Sequence, residues 1–137
     1  MTATETDVAV RTARAGQNPL KLKRVHHVEF WTGNAKQSSF FYRNAFGFSQ
    51  LAYAGLETGN RDTASYVLSQ GKVRFVLTSP LRDDHPAAEH IRRHGDGVID
   101  IALLVDDADF AFDDKSFQRH WRAIVWEMQN AECRMQN

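Results

Sequence analysis

The sequence predicts an α+β domain organised around a β-α-β-β-β unit. A run of β-branched and aromatic residues, Val25 to Trp31, reads as a strand. A well-signalled helix follows it, opening at Asn34 and closing at Gly47. Three further strand-like runs then succeed one another across short turns.

The chain has 137 residues, the size of one domain with a modest core. Its 17 basic and 17 acidic residues cancel, so there is no net field to hold a polyanion. Nucleic acid or an acidic membrane is therefore not the expected partner. No apolar run approaches the roughly 20 residues that a membrane span needs. The single cysteine, Cys133, has no second one to pair with, which points to a reducing, cytoplasmic setting. Residues 1–20 are rich in Ala, Thr and Arg and lack the apolar stretch of a secretory signal, so they read as a disordered leader.

The strand Val25 to Trp31 carries Val25, His27, Glu29 and Trp31 on one face. His26, Val28 and Phe30 form the other, more apolar face, which is expected to pack on a helix. Asn34 suits a helix N-cap, and Gln37 three residues on completes a capping-box pattern. Phe41, Tyr42, Ala45 and Phe46 recur at helical spacing and are the expected buried stripe. Strands are expected at Phe48–Ala54, Thr63–Ser69 and Val73–Thr78, with a loop over Gly55–Asn60 and a Gln70-Gly71 turn. Pro86 suits the first turn of a short helix ending at Gly95. Val98–Val105 is another strong strand, and Asp106–Phe112 starts a helix. A second β-α unit thus begins in the image of the first and is not completed. From residue 113 the character changes. Phe117–Met135 is rich in Arg, Gln, Trp and Met, and Trp121, Ile124, Val125 and Met128 fall at helical intervals, so a helical tail without further strands is expected.

The strongest candidate for chemistry is His27-Val28-Glu29. Residues two apart on a strand share a face. A histidine and a carboxylate there are the start of an iron-type facial site, which wants two His and one carboxylate. Asp100, on the second strong strand, is the nearest candidate for a third ligand. Two hard carboxylates with one imidazole give weak ferrous selectivity, so a trio without metal is the expectation. His90 and His94 stand four apart on a helix, a spacing that can bind a divalent cation. They lack the adjoining Glu of a zincin and flank Arg92 and Arg93, so they read as exposed helix histidines. His85 and His120 show no local partners. Gly95-Asp96-Gly97 precedes a strand and is a turn rather than a phosphate loop.

Arg24-Val25-His26-His27-Val28-Glu29-Phe30-Trp31 with Gly33-Asn34-Ala35 resembles the opening of the 4-hydroxyphenylpyruvate dioxygenase family. So do Glu57-Thr58-Gly59-Asn60, Ala64-Ser65-Tyr66-Val67-Leu68, Val73-Arg74-Phe75-Val76-Leu77-Thr78-Ser79 and His94-Gly95-Asp96-Gly97-Val98. The resemblance runs from Leu20 to Phe112 and is specific when these segments are taken together. It implies the vicinal-oxygen-chelate fold of the glyoxalase/bleomycin-resistance superfamily, in which paired β-α-β-β-β modules curl a sheet around a cavity. It also implies a ferrous, O2-dependent conversion of 4-hydroxyphenylpyruvate to homogentisate, a step of tyrosine catabolism, in a two-domain enzyme whose iron is held by two His and one Glu of its C-terminal domain.

This chain resembles the N-terminal domain. By internal duplication His27 stands at the place of the first iron His and Asp100 at that of the second, and the place of the Glu has no counterpart. No catalytic residue is carried over, no cofactor is expected on this chain, and Fe2+ belongs to the full-length family enzyme. The expected domain covers 21–112, with 113–137 outside the family pattern, as a truncated or frame-shifted product would have. The chain is expected to be an N-terminal fragment, inactive alone, whose partner is a missing C-terminal half or a second copy. The alternative is a stand-alone dimeric module that binds a small molecule.

Overall fold

The computed structural model describes residues 18, 20–113 and 125–127. Strand β1 is Leu22–Trp31, helix α1 Ala35–Phe46, β2 Ser49–Ala54, β3 Thr63–Gln70 and β4 Val73–Pro80. Helix α2 is Pro86–His94, β5 Gly97–Val105, α3 Ala108–Asp113 and β6 Val125–Glu127. The six strands among the described residues join one sheet in the order β2-β3-β4-β1-β5-β6. The first β-α-β-β-β unit therefore folds back so that β4 lies parallel to β1, Val28 opposite Phe75 and Trp31 opposite Thr78. β5 pairs antiparallel on the other side of β1.

Helix α1 begins and ends where its caps require. The Asn34 side chain accepts from the Gln37 N–H at 3.0 Å. Gly47 adopts the left-handed region, φ 72°, and its N–H returns to the Tyr42 carbonyl. The buried face is not the expected aromatic stripe. Ala35 and Ser39 are buried, Tyr42 is half-buried and Ala45 is exposed, while Phe41 and Phe46 are each 55% exposed. Small residues let the helix backbone approach the sheet, and the rings are left to pack on one another, Phe41 against Phe46 at 5.7 Å. Tyr42 is the one that reaches inward, between Phe46, Phe48 and Phe75.

One core cluster lies between α1 and the sheet, and Ala87 on α2, Ala102, Leu104 and Val105 on β5 and Ala111 on α3 are buried as well. In the α1 cluster the packing is tightest at its centre. Ala35, Leu68 and Leu77 are fully buried, ringed by Phe30, Tyr42, Phe48, Tyr66 and Phe75. Phe30 on this face agrees with the reading of β1. Sheet register explains the cluster: Leu68 opposes Phe75 and Tyr66 opposes Leu77 across β3–β4. Gly71, φ 57°, turns that hairpin.

Three differences from the sequence reading concern ends and neighbours. Asn18, inside the stretch read as a leader, clasps Leu22 through two hydrogen bonds, accepting from its N–H at 2.7 Å and donating to its carbonyl at 2.8 Å. His85 does have a local partner: it caps α2, its Nδ1 accepting from the Ala87 N–H at 3.1 Å. In the tail read as helical, Val125–Glu127 forms β6, parallel to Leu103–Val105. Val-Trp-Glu can extend along an available strand edge, and such pairing overrides a helical spacing of apolar residues. The rest of that tail, with His120 and Cys133, lies outside the described residues, as do residues 1–17.

Candidate functional site

The sheet face opposite α1 carries a row of polar side chains crossing four strands. Ser65 on β3 and Thr78 on β4 are directly opposed, their hydroxyl oxygens 2.9 Å apart. Thr78 donates to Glu29 Oε1 on β1 at 2.8 Å. Because the single Thr78 proton is committed there, Ser65 is the donor to Thr78. Glu29 in turn stands opposite Asp100 on β5. Burial raises the Glu29 carboxyl above its ordinary value, the Thr78 hydrogen bond pulls against that, and the Asp100 carboxylate adds to the rise.

The sequence reading put His26 and His27 on opposite faces. A β-bulge corrects this. Val25 opposes Leu103 and His27 opposes Ala102, so His26 is the extra residue and strict alternation fails there. The two imidazoles consequently meet edge to face, with Nδ1 atoms 2.9 Å apart. Arg74 Nη1 lies 3.0 Å from His26 Nε2. An arginine can only donate. His26 Nε2 then accepts from Arg74, which leaves the His26 Nδ1 side facing His27 Nδ1. Burial first, then the neighbouring His26 and Arg74, bring His27 down to about 4. His26 is lowered by the same kinds of cause: burial, then Arg74 and Arg24.

These residues do not fit a ferrous ion. A facial site asks for two imidazole lone pairs and a carboxylate converging on one point. The His27 Nδ1 edge is turned to His26 and Glu29 is tied to Thr78, so the described side chains present one imidazole and two carboxylates rather than two imidazoles and one carboxylate. Among the described residues no three His, Cys, Asp or Glu side chains gather into a metal-holding group. What the face offers chemically is a hydroxyl–hydroxyl–carboxylate relay facing a second carboxylate. Sequence reasoning found His27, Glu29 and Asp100, and the register does bring Glu29 and Asp100 together. It missed Ser65, Thr78 and Arg74, whose importance depends on which strands become neighbours.

Helix α2 carries His90 and His94, with His85 as its N-cap. Trp31, at the end of β1, lies edge-on to His90 at 5.4 Å and to His85 at 6.2 Å, and His90 stands 4.9 Å from His94. The expected turn at Gly95-Asp96-Gly97 is tied back to the β1–α1 turn, Asp96 Oδ1 accepting from the Gly33 N–H at 2.8 Å. No helix among the described residues is long and apolar enough to cross a membrane.

The β-α-β-β-β unit wrapped into a mixed sheet, with a second unit begun beside it, defines a vicinal-oxygen-chelate module. The chain belongs to the Glyoxalase/Bleomycin resistance protein/Dioxygenase superfamily, whose family profile matches residues 26–118. Within that superfamily it is similar to 4-hydroxyphenylpyruvate dioxygenases. It is 50% identical to that of Danio rerio over 91 residues, 66% of this chain and 23% of the relative. It is 50% identical to that of Xenopus tropicalis over 103 residues, 74% of this chain and 26% of the relative. A solved mutant of 4-hydroxymandelate synthase from Streptomyces coelicolor superposes with a TM-score of 0.61 at 35% identity, over 64% of this chain and 26% of that one. The chain therefore spans about a quarter of the length of the curated relatives it matches.

Proposed function

We propose that this chain is the amino-terminal vicinal-oxygen-chelate module of a 4-hydroxyphenylpyruvate dioxygenase, serving tyrosine catabolism in the cytoplasm. The activity it serves is the ferrous, O2-dependent conversion of 4-hydroxyphenylpyruvate to homogentisate, with the iron held by a carboxy-terminal module. The observation that carries this reading is half identity to such enzymes over 91 residues. The donor set around His27, Glu29 and Asp100 supports the second clause, that the iron ligands come from elsewhere.

The test has two arms. The chain alone, given Fe2+ and 4-hydroxyphenylpyruvate, is expected to make no homogentisate above a heat-killed control. Co-expressed with the remaining part of the Xenopus tropicalis relative, it is expected to co-purify and to restore chelator-sensitive product. Product from the chain alone, or no association with the remaining part, would defeat the reading.

A second reading, a self-associating module that binds a small molecule between copies, is favoured by one feature. On β5, Val98 and Ile101 are 51% and 41% exposed. Apolar side chains on a sheet invite a cover. Size-exclusion chromatography with light scattering separates the two readings, a dimer whose melting temperature rises with added 4-hydroxyphenylpyruvate favouring the second.

A further inference from the structure

We propose that His90 and His94 form a two-imidazole chelate on helix α2 for a divalent transition ion of the zinc, nickel or copper class. The inference is independent of the module reading above. It concerns a surface that neither the polar row nor the core uses.

Four observations carry it. Residues four apart on a helix project from the same side, and their rings here are 4.9 Å apart, tilted by 47°. Two imidazoles so placed can close on one ion, with water in its other positions, and imidazole selects zinc, copper and nickel over magnesium or calcium. Next, His90 is held in place. Trp31 packs edge-on against it at 5.4 Å, so the half-buried His90 ring is fixed while the exposed His94 is able to close. Preorganising one ligand lowers the cost of binding.

The third observation is electrostatic. Arg92 and Arg93 lie between the two histidines in sequence and would repel a cation, but both guanidinium groups are drawn onto the Glu89 carboxylate. Their charge is thereby partly compensated and pulled toward the start of the helix. Finally, His94 lies in the last turn of α2, where the carbonyl end of the helix favours positive charge.

Ni2+ alone, titrated calorimetrically into the full chain at pH 7.5, is the probe. One equivalent should bind, and EDTA should reverse it. His90→Ala and His94→Ala should each lose at least tenfold in affinity, because a chelate needs both rings. His120→Ala, a histidine elsewhere in the chain, should bind as the unmodified protein does. Both α2 substitutions replace ring with methyl on a helix, so circular dichroism should be unchanged. Tryptophan emission should be quenched on binding, and the quench should fall markedly in Trp31→Phe, which places the ion beside that ring. Unaltered affinity in His90→Ala or His94→Ala would overturn the proposal. So would a loss seen only in His120→Ala, or a quench that survives intact in Trp31→Phe.

Discussion

Strand β1 has two neighbours, and the sheet is covered differently on each side of it. Toward β4, Phe30 meets Phe75 at 5.1 Å, and helix α1 seals Leu68 and Leu77 completely. Toward β5, Val98 opposes Phe30 and Ile101 opposes Val28, yet both stay substantially exposed, while Ala102, Leu104 and Val105 further along β5 are buried. β5, Gly-Val-Ile-Asp-Ile-Ala-Leu-Leu-Val, is the more aliphatic of the two, and β4, Val-Arg-Phe-Val-Leu-Thr-Ser-Pro, the more polar. Their energetic weight differs because burial belongs to the covering element, here the small-residue face of α1, and not to the strand's own sequence.

The largest effect should expose that contrast. Leu77→Ala removes a fully buried side chain and should cost about 3 kcal/mol, whereas Ile101→Ala should cost about 1 kcal/mol or less. Urea denaturation of both variants measures this, and equal losses would mean that the β5 side is as well packed as the α1 side.

A second contrast lies within the polar face, where His27 and Glu29 are shifted in opposite senses. His27 is brought from 6.5 to about 4, so between those values the unfolded chain binds more protons than the folded one. Its stabilisation is present above pH 6.5 and is lost as pH falls toward 4. The raised Glu29 does the reverse: the folded state holds its proton longer, and stability falls as pH rises above 4.5. His27→Gln should therefore flatten the acid limb of the stability–pH curve. Glu29→Gln should stabilise the chain at neutral pH, with a gain that vanishes near pH 4.5. Denaturation midpoints from pH 4 to 8 check both signs.

Smaller effects test how α1 is held over its half of the sheet. Asn34→Ala deletes the hydrogen bond to Gln37 and should cost about 1 kcal/mol. Ser39→Ala should be neutral or stabilising by up to about 1 kcal/mol, since the buried Ser39 hydroxyl makes no hydrogen bond among the described residues. Thermal melts resolve shifts of this size. A clear loss in Ser39→Ala would mean that the hydroxyl has a partner and that the fit of α1 depends on more than small size.

Local signals were enough for the elements themselves. Asn34 and Gly47 bound α1, Pro86 and Gly95 bound α2, and the β-branched runs become β1 to β5 close to the expected limits. These are short-range effects, fixed by caps, turn residues and side-chain shape within a few positions. The family followed from the same stretch of chain.

Tertiary structure decided which side chains meet. The aromatic spacing of α1 suggested a buried stripe, but helix rotation chose Ala35, Ser39 and Tyr42, because close approach to a sheet favours small residues. One extra residue in β1 turned His26 toward His27, a register event with no mark in the sequence. Strand order alone placed Ser65, Thr78, Glu29 and Asp100 in one row, although up to 49 positions separate the hydrogen-bonded pair Glu29 and Thr78. Val125–Glu127 became a strand through pairing with β5. The sequence by itself determined what each segment could be, since backbone preferences act locally. The fold determined the neighbours, since pairing and burial are settled between segments far apart in the chain.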